Sequence, residues 1–172
     1  LGFYSAREFH IKGIDKIANQ TIEVGRSCVS PEYRNGTVVA LLWSGISEIL
    51  YRSRQRYLFG CVSLENTDPA AGWALYEHLK ANGKCSESIF ASPTDTFKLQ
   101  RPPQHEIDAI LSDRRKTREI LPPLFKGYLR LGAKICGEPA FDYEFGTIDF
   151  LILLDAGNLP ERYTRHFNVV EL

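Results

Sequence analysis

The stretch from Thr21 to Tyr51 constrains this 172-residue chain more than any other part of it. Thr21-Ile22-Glu23-Val24-Gly25-Arg26-Ser27-Cys28-Val29 alternates in the way a half-buried strand does. Ser30-Pro31-Glu32-Tyr33 then turns the chain, and Arg34-Asn35-Gly36-Thr37 opens a helix expected from about Val38 to Tyr51. A strand that runs into an Arg-x-Gly loop and feeds a helix N-terminus is an anion cradle. The first N–H groups of the helix have no partner inside it, the dipole is positive there, and a glycine lets a phosphate approach the backbone. Glu23 and Arg26 place a polar pair beside this cradle. Positions three apart in a regular strand point to opposite faces, but Gly25 between them is a natural place for a bulge that returns both to one side.

The rest of the chain alternates strands and helices, which predicts a layered α/β domain. Phe3 to Phe9 reads as a strand, and Tyr57 to Ser63 as a buried one. Val38, Leu41, Leu42, Ile46, Ile49 and Leu50 are expected to form the apolar face of the first helix. Asp68-Pro69 starts a second helix and Asn82-Gly83 stops it. Residues 84–118 form a polar, proline-marked excursion, part loop and part short helix. Pro122-Pro123 begins a helix that ends at Gly132, and Ala133 to Glu138 and Ile148 to Asp155 read as the last two strands.

Composition narrows the function classes. Apolar content of 44% and charge of 24% are those of an ordinary globular protein. A formal net charge of zero argues against bulk-electrostatic binding of nucleic acid. The four cysteines lie far apart, without a Cys-x-x-Cys pair or a Cys/His cluster, so no metal site is expected. Cys28 and Cys61 fall at apolar strand positions and read as packed thiols rather than nucleophiles. Trp43 and Trp73 read as core residues of amphipathic helices, and His166 as a packing element. No apolar run approaches the ~18 to 20 residues that span a bilayer. Methionine is absent even at the start, which raises the expectation that an N-terminal part precedes this single domain of residues 1–172.

Gly25-Arg26-Ser27-Cys28-Val29, Tyr33-Arg34, Leu41-Leu42-Trp43-Ser44-Gly45-Ile46, Tyr57-Leu58-Phe59-Gly60-Cys61-Val62-Ser63 and Leu121-Pro122-Pro123-Leu124 carry a family resemblance. It is strongest in Tyr128-Leu129-Arg130-Leu131-Gly132-Ala133-Lys134-Ile135-Cys136-Gly137-Glu138-Pro139-Ala140 and continues in Asp149-Phe150-Leu151 and Arg165-His166-Phe167. The chain resembles the ornithine-acyl carrier protein N-acyltransferases, a branch of the GNAT superfamily often labelled hemolysin-like and related to the acyl-homoserine-lactone synthases. Its loop departs from the superfamily's usual Arg/Gln-x-x-Gly-x-Gly/Ala in being shorter and lacking the second glycine. Glu8-Phe9-His10 stands where relatives commonly have Glu-Phe-Asp.

The resemblance implies a GNAT-like mixed sheet with a splayed, bulged central strand and helices on both faces. It implies transfer of a 3-hydroxyacyl chain from the phosphopantetheine arm of acyl carrier protein, or from coenzyme A, to the α-amine of ornithine. No tightly bound cofactor is expected. Cys28, Val29, Arg34, Asn35, Gly36 and Thr37 would hold the donor arm, and the oxyanion would rest on a strand N–H near Val29. Glu23 would be the general base, as part of the Glu-x-x-Arg that the lactone synthases carry, and Arg26 would bind the acceptor's carboxylate. Glu138, Asp142 or Asp149 would bind its distal ammonium, and Arg114 and Arg115 would meet the carrier protein or anionic lipid. The expected place of action is the cytoplasmic side of a membrane, met peripherally. An enzyme with another amine acceptor, such as an N-acyl amino acid or lactone synthase, and a non-catalytic carrier- or lipid-binding module remain as alternatives.

Overall fold

The computed structural model describes residues 2–27, 29–33 and 36–159. In chain order, β1 (Phe9–Lys12), β2 (Thr21–Glu23), α1 (Gly36–Ser53), β3 (Tyr57–Leu64) and α2 (Pro69–Ala81) are followed by β4 (Phe90–Pro93). Then come α3 (Gln104–Leu111), α4 (Arg114–Ile120), α5 (Pro123–Arg130), β5 (Lys134–Ile135), β6 (Ala140–Asp142) and β7 (Thr147–Asp155).

β7 is the spine. Its interior, Ile148 to Leu154, is buried throughout, as a near-continuous apolar run demands of a strand covered on both faces. It pairs antiparallel with β3 over eight residues, from Tyr57↔Asp155 to Leu64↔Ile148. β5 and β6 share its other edge, also antiparallel. β2 pairs parallel with β3 over Thr21↔Tyr57, Ile22↔Leu58 and Glu23↔Phe59. The result is a mixed, GNAT-like sheet.

Alternate side chains along β7 build two separate cores. Ile148, Phe150, Ile152 and Leu154 pack with Leu50 of α1, Trp73 and Leu75 of α2, Ile107 of α3 and Phe125 of α5. Leu151 and Leu153 pack on the opposite side with Phe9 of β1, Ile14, Phe59 and Ala91 of β4. The second face therefore differs from the expectation of helices on both sides: β1 and β4 form a two-stranded antiparallel sheet that covers it, with 3-10 turns around them.

Other local expectations meet mixed outcomes. Asp68 caps α2 by accepting from the Ala70 N–H at 2.9 Å, and Asn82 and Gly83 close the helix, Gly83 with φ of 67°. α5 runs from Pro123 to Arg130 and is followed by Gly132 with φ of 96°. Phe3 to Phe9 is not a strand: Tyr4–Arg7 is a 3-10 turn and the strand begins at Phe9. The excursion holds β4, α3 and α4, of which the strand was not anticipated. On α1 the buried stripe is Trp43, Ile46, Ser47 and Leu50, a spacing of three, one and three, whereas Leu41, Leu42 and Ile49 are exposed.

Candidate active site

β2 and β3 begin as parallel neighbours and then part. The Val24 N–H donates to the Phe59 carbonyl at 2.8 Å, and the regular pairing ends there. Gly60 permits this approach, since a Cβ on it would lie 2.1 Å from the Val24 carbonyl oxygen. The strand expected from Thr21 to Val29 pairs only as far as Glu23, so Gly25 lies beyond it rather than at a bulge, and the chain turns at Arg26, whose φ of 55° lies in the left-handed region.

The divergence opens a slot of about 400 Å³. Val24 to Ser27 line one wall and Leu58 to Ser63 the other. Trp43 and Ile46 of α1 and Leu124 and Tyr128 of α5 close the helical side, with the Trp43 and Tyr128 rings 5.5 Å apart edge to face. The lining follows β3 past residues of both cores, among them Val62 of the helical one and Phe59 and Cys61 of the one on the β1–β4 side.

On that second side a chain of polar groups begins. Glu23 Oε2 accepts from the Tyr4 N–H at 2.5 Å and Oε1 from the Ser5 N–H at 2.7 Å, and the Ser5 hydroxyl also donates to Oε1. The Arg26 guanidinium lies 4.6 Å from the centre of the Tyr4 ring. Glu23 and Arg26 thus both contact the same N-terminal turn. The Cys61 thiol, on the slot wall, sits 3.6 Å from both Ser5 Oγ and Glu8 Oε2. Burial holds the Cys61 thiol far above its ordinary range, which keeps it protonated and agrees with a packed rather than nucleophilic role.

Glu8, Asp142 and Asp149 then form a buried cluster in which one oxygen from each lies within 4.8 Å of the others. The register of the sheet assembles it, with Asp149 opposite Ser63 of β3 and Ala140 of β6, and Asp142 opposite Thr147. Asp142 also organises the turn after β6, accepting from the Glu144 and Phe145 N–H groups at 2.8 and 3.0 Å. Burial first, and then the Asp149 carboxylate, push Glu8 up to about 7, and burial also raises Asp149. Asp149 Oδ1 is buried without a hydrogen-bond partner.

The other expected site residues are distributed as follows. Glu138 is exposed and outside the carboxylate cluster. Gly36 opens α1 as foreseen, Thr37 is exposed in its first turn, and Val29 is half-buried. None of these three lines the slot. Cys28, Arg34, Asn35 and His166 lie outside the described residues, as does the side chain of Arg114. Arg115 is exposed and pairs with Glu119 one turn on, at 2.9 Å. Glu8 is the site residue that the sequence reading passed over. Its signal was the Glu8-Phe9-His10 segment, which stands where relatives commonly have Glu-Phe-Asp.

Residues 1–44 match the acetyltransferase (GNAT) domain model, and a mixed sheet whose parallel strands diverge beside a helix is consistent with a GNAT-like fold. Over nearly its whole length the chain is homologous to proteins named L-ornithine N(alpha)-acyltransferase. It is 34% identical to the one from Agrobacterium fabrum over 171 residues, 96% of this chain and 56% of that protein. Identity to the Brucella abortus protein is 34% over 97% of this chain and 59% of the relative, and to the Rhodobacter capsulatus protein 30% over 96% and 62%. The chain thus spans less than two thirds of the length of the relatives it matches. No solved structure shows a significant match. No helix among the described residues is long and apolar enough to cross a membrane.

Proposed function

We propose that the protein transfers a 3-hydroxyacyl chain from the phosphopantetheine thioester of acyl carrier protein to the α-amine of ornithine. The observation that carries this reading is homology to L-ornithine N(alpha)-acyltransferases along 96% of the chain. The slot between β2 and β3 has the form such a reaction needs. Its helical side would take the pantetheine arm, whose phosphate end reaches the start of α1 around Arg34, Asn35, Gly36 and Thr37. Cys28 and Val29, on the segment between Ser27 of the slot wall and α1, would flank the arm where it leaves the slot.

The acceptor enters from the β1–β4 side. Arg26, close to the slot mouth, binds its carboxylate by a charge-assisted contact. Asp142 and Asp149 offer negative charge to its distal ammonium. Bringing amine and thioester together in a water-poor slot supplies the proximity on which direct attack depends. The carrier protein presents an acidic face, and Arg114 and Arg115 would guide it in. Leu41 and Ile49, 66% and 57% exposed on α1, suit peripheral contact with a bilayer that receives the acylated product.

The test is reconstitution. The purified protein, acyl carrier protein bearing a 3-hydroxyacyl thioester and ornithine should release free thiol and yield N-acyl-ornithine by mass spectrometry. Thiol release that does not depend on any added amino acid would refute the proposal. Transfer to another amino acid alone would refute the assignment of ornithine.

A further inference from the structure

We propose that Glu8 takes the proton from the reacting α-ammonium, while Asp149 and Asp142 hold the positive charge of the acceptor deeper in the same buried cluster. This assignment rests on the acyltransferase reading and names the proton acceptor within it.

Three observations carry it. Glu8, Asp142 and Asp149 are 7%, 9% and 5% exposed, so three carboxylates share a volume with little water to screen them. Among the described residues none of the three is engaged in an ion pair. Like charges so close and so dry are costly unless a proton or a cation joins them. Second, Asp149, a member of this cluster, has a buried Oδ1 with no hydrogen-bond partner, which an N–H donor would satisfy. Third, Glu8 Oε2 lies 3.6 Å from the Sγ of Cys61, a residue that lines the slot, so the cluster and the slot meet at one residue of β3.

Glu23, the base expected from the sequence, is occupied differently. Both of its oxygens accept backbone N–H groups, which pins Tyr4 and Ser5 against the end of β2. The groups around Glu8 are the Asp149 and Asp142 carboxylates, the Cys61 thiol and the Arg7 guanidinium. Burial and Asp149 raise Glu8 to about 7, where a carboxylate can both accept a proton at neutral pH and release it afterwards.

The step balances. An acceptor ammonium gives one proton to a Glu8 oxygen, and the freed lone pair attacks the thioester carbonyl carbon. The C–N bond forms as the C–S bond breaks. The departing thiolate takes a second proton from the nitrogen, leaving amide and thiol, and Glu8 returns its proton to solvent.

The experiment is the pH dependence of kcat/KM for acyl transfer to ornithine, with Glu8→Gln, Glu8→Asp and Glu23→Gln compared with wild type. Wild type should lose activity on acidification with an apparent pKa near 7. Glu8→Gln should lower kcat by roughly 10²-fold or more and abolish that acid limb, with the donor KM unchanged. Glu8→Asp should keep a shifted limb, and Glu23→Gln should keep the wild-type limb. A wild-type profile flat through neutrality overturns the assignment even where a variant does not fold. So does a folded Glu8→Gln protein that retains the limb. Transfer by wild type that vanishes with its acid limb only in Glu23→Gln would return the role to Glu23. A wild-type protein that acylates no amino acid at any pH refutes the functional reading itself, and this assignment falls with it.

Discussion

A carboxylate buried near two others is uncomfortable as an anion, and Glu8 makes that discomfort measurable. Its value rises from the ordinary 4.5 to about 7 in the fold. The folded state therefore binds the proton more tightly than the unfolded chain, and stability falls as pH rises through this window. At about 1.4 kcal/mol for each tenfold change in acidity, the loss between about pH 4.5 and pH 7 is roughly 3 kcal/mol. Chemical denaturation should show Glu8→Gln gaining on wild type as pH rises from 5 to 8. Equal differences at both pH values would show that Glu8 ionises freely. Arg26 supports a second prediction at this scale. Arg26→Ala should raise the KM for ornithine at least about tenfold, since charge-assisted contacts are worth about 1.5–3 kcal/mol, while the KM for the donor stays constant. An increase confined to the donor KM would place Arg26 on the other substrate.

Among the elements, the diverging pair β2 and β3 depends on one glycine. A Cβ at position 60 meets the Val24 carbonyl oxygen at 2.1 Å, backbone that can yield only by moving β2. Gly60→Ala should cost about 1–3 kcal/mol, the usual range for forced overpacking, and should raise the KM for the acyl donor by reshaping the slot. A variant with unchanged melting temperature and donor KM would show that the strands are not held at this point. α2 offers a calibration away from the slot. Asp68→Ala removes the acceptor for the Ala70 N–H and should lower stability by about 1 kcal/mol, with the KM for both substrates at wild-type values.

For the whole molecule the relevant charges are local, because the net charge is zero. Encounter with an acidic carrier would then depend on patches such as the one around Arg115, screened over ~8 Å at physiological ionic strength. Arg115 is already paired with Glu119 on an exposed helix, and such pairs contribute little to stability, so it remains available for steering. Arg115→Glu should raise the KM for the carrier thioester and flatten its salt dependence while kcat holds. Indifference to both salt and charge reversal would point to coenzyme A as the donor.

Much of this molecule was determined by residues that act on their near neighbours. Asp68 caps α2 and Gly132 follows α5 because caps and turns are made within a few residues, and β7 announced itself as an apolar run. The strand expected from Thr21 to Val29 and the helix expected from about Val38 likewise indicated β2 and α1, although the strand pairs only as far as Glu23. Tertiary structure decided the rest. α1 is apolar around most of its circumference, so periodicity could not select the stripe from Trp43 to Leu50; the surfaces of Leu58, Leu131 and Leu154 did that. β4 needed β1 as a partner some eighty residues away, and no local signal carries that pairing. The carboxylate cluster depends on three elements far apart in sequence, Glu8 ahead of β1, Asp142 on β6 and Asp149 on β7. The family resemblance singled out Asp142 and Asp149 as candidates and left Glu8 aside, and only strand register and burial bring the three together, because desolvation and mutual repulsion exist only where the fold does so.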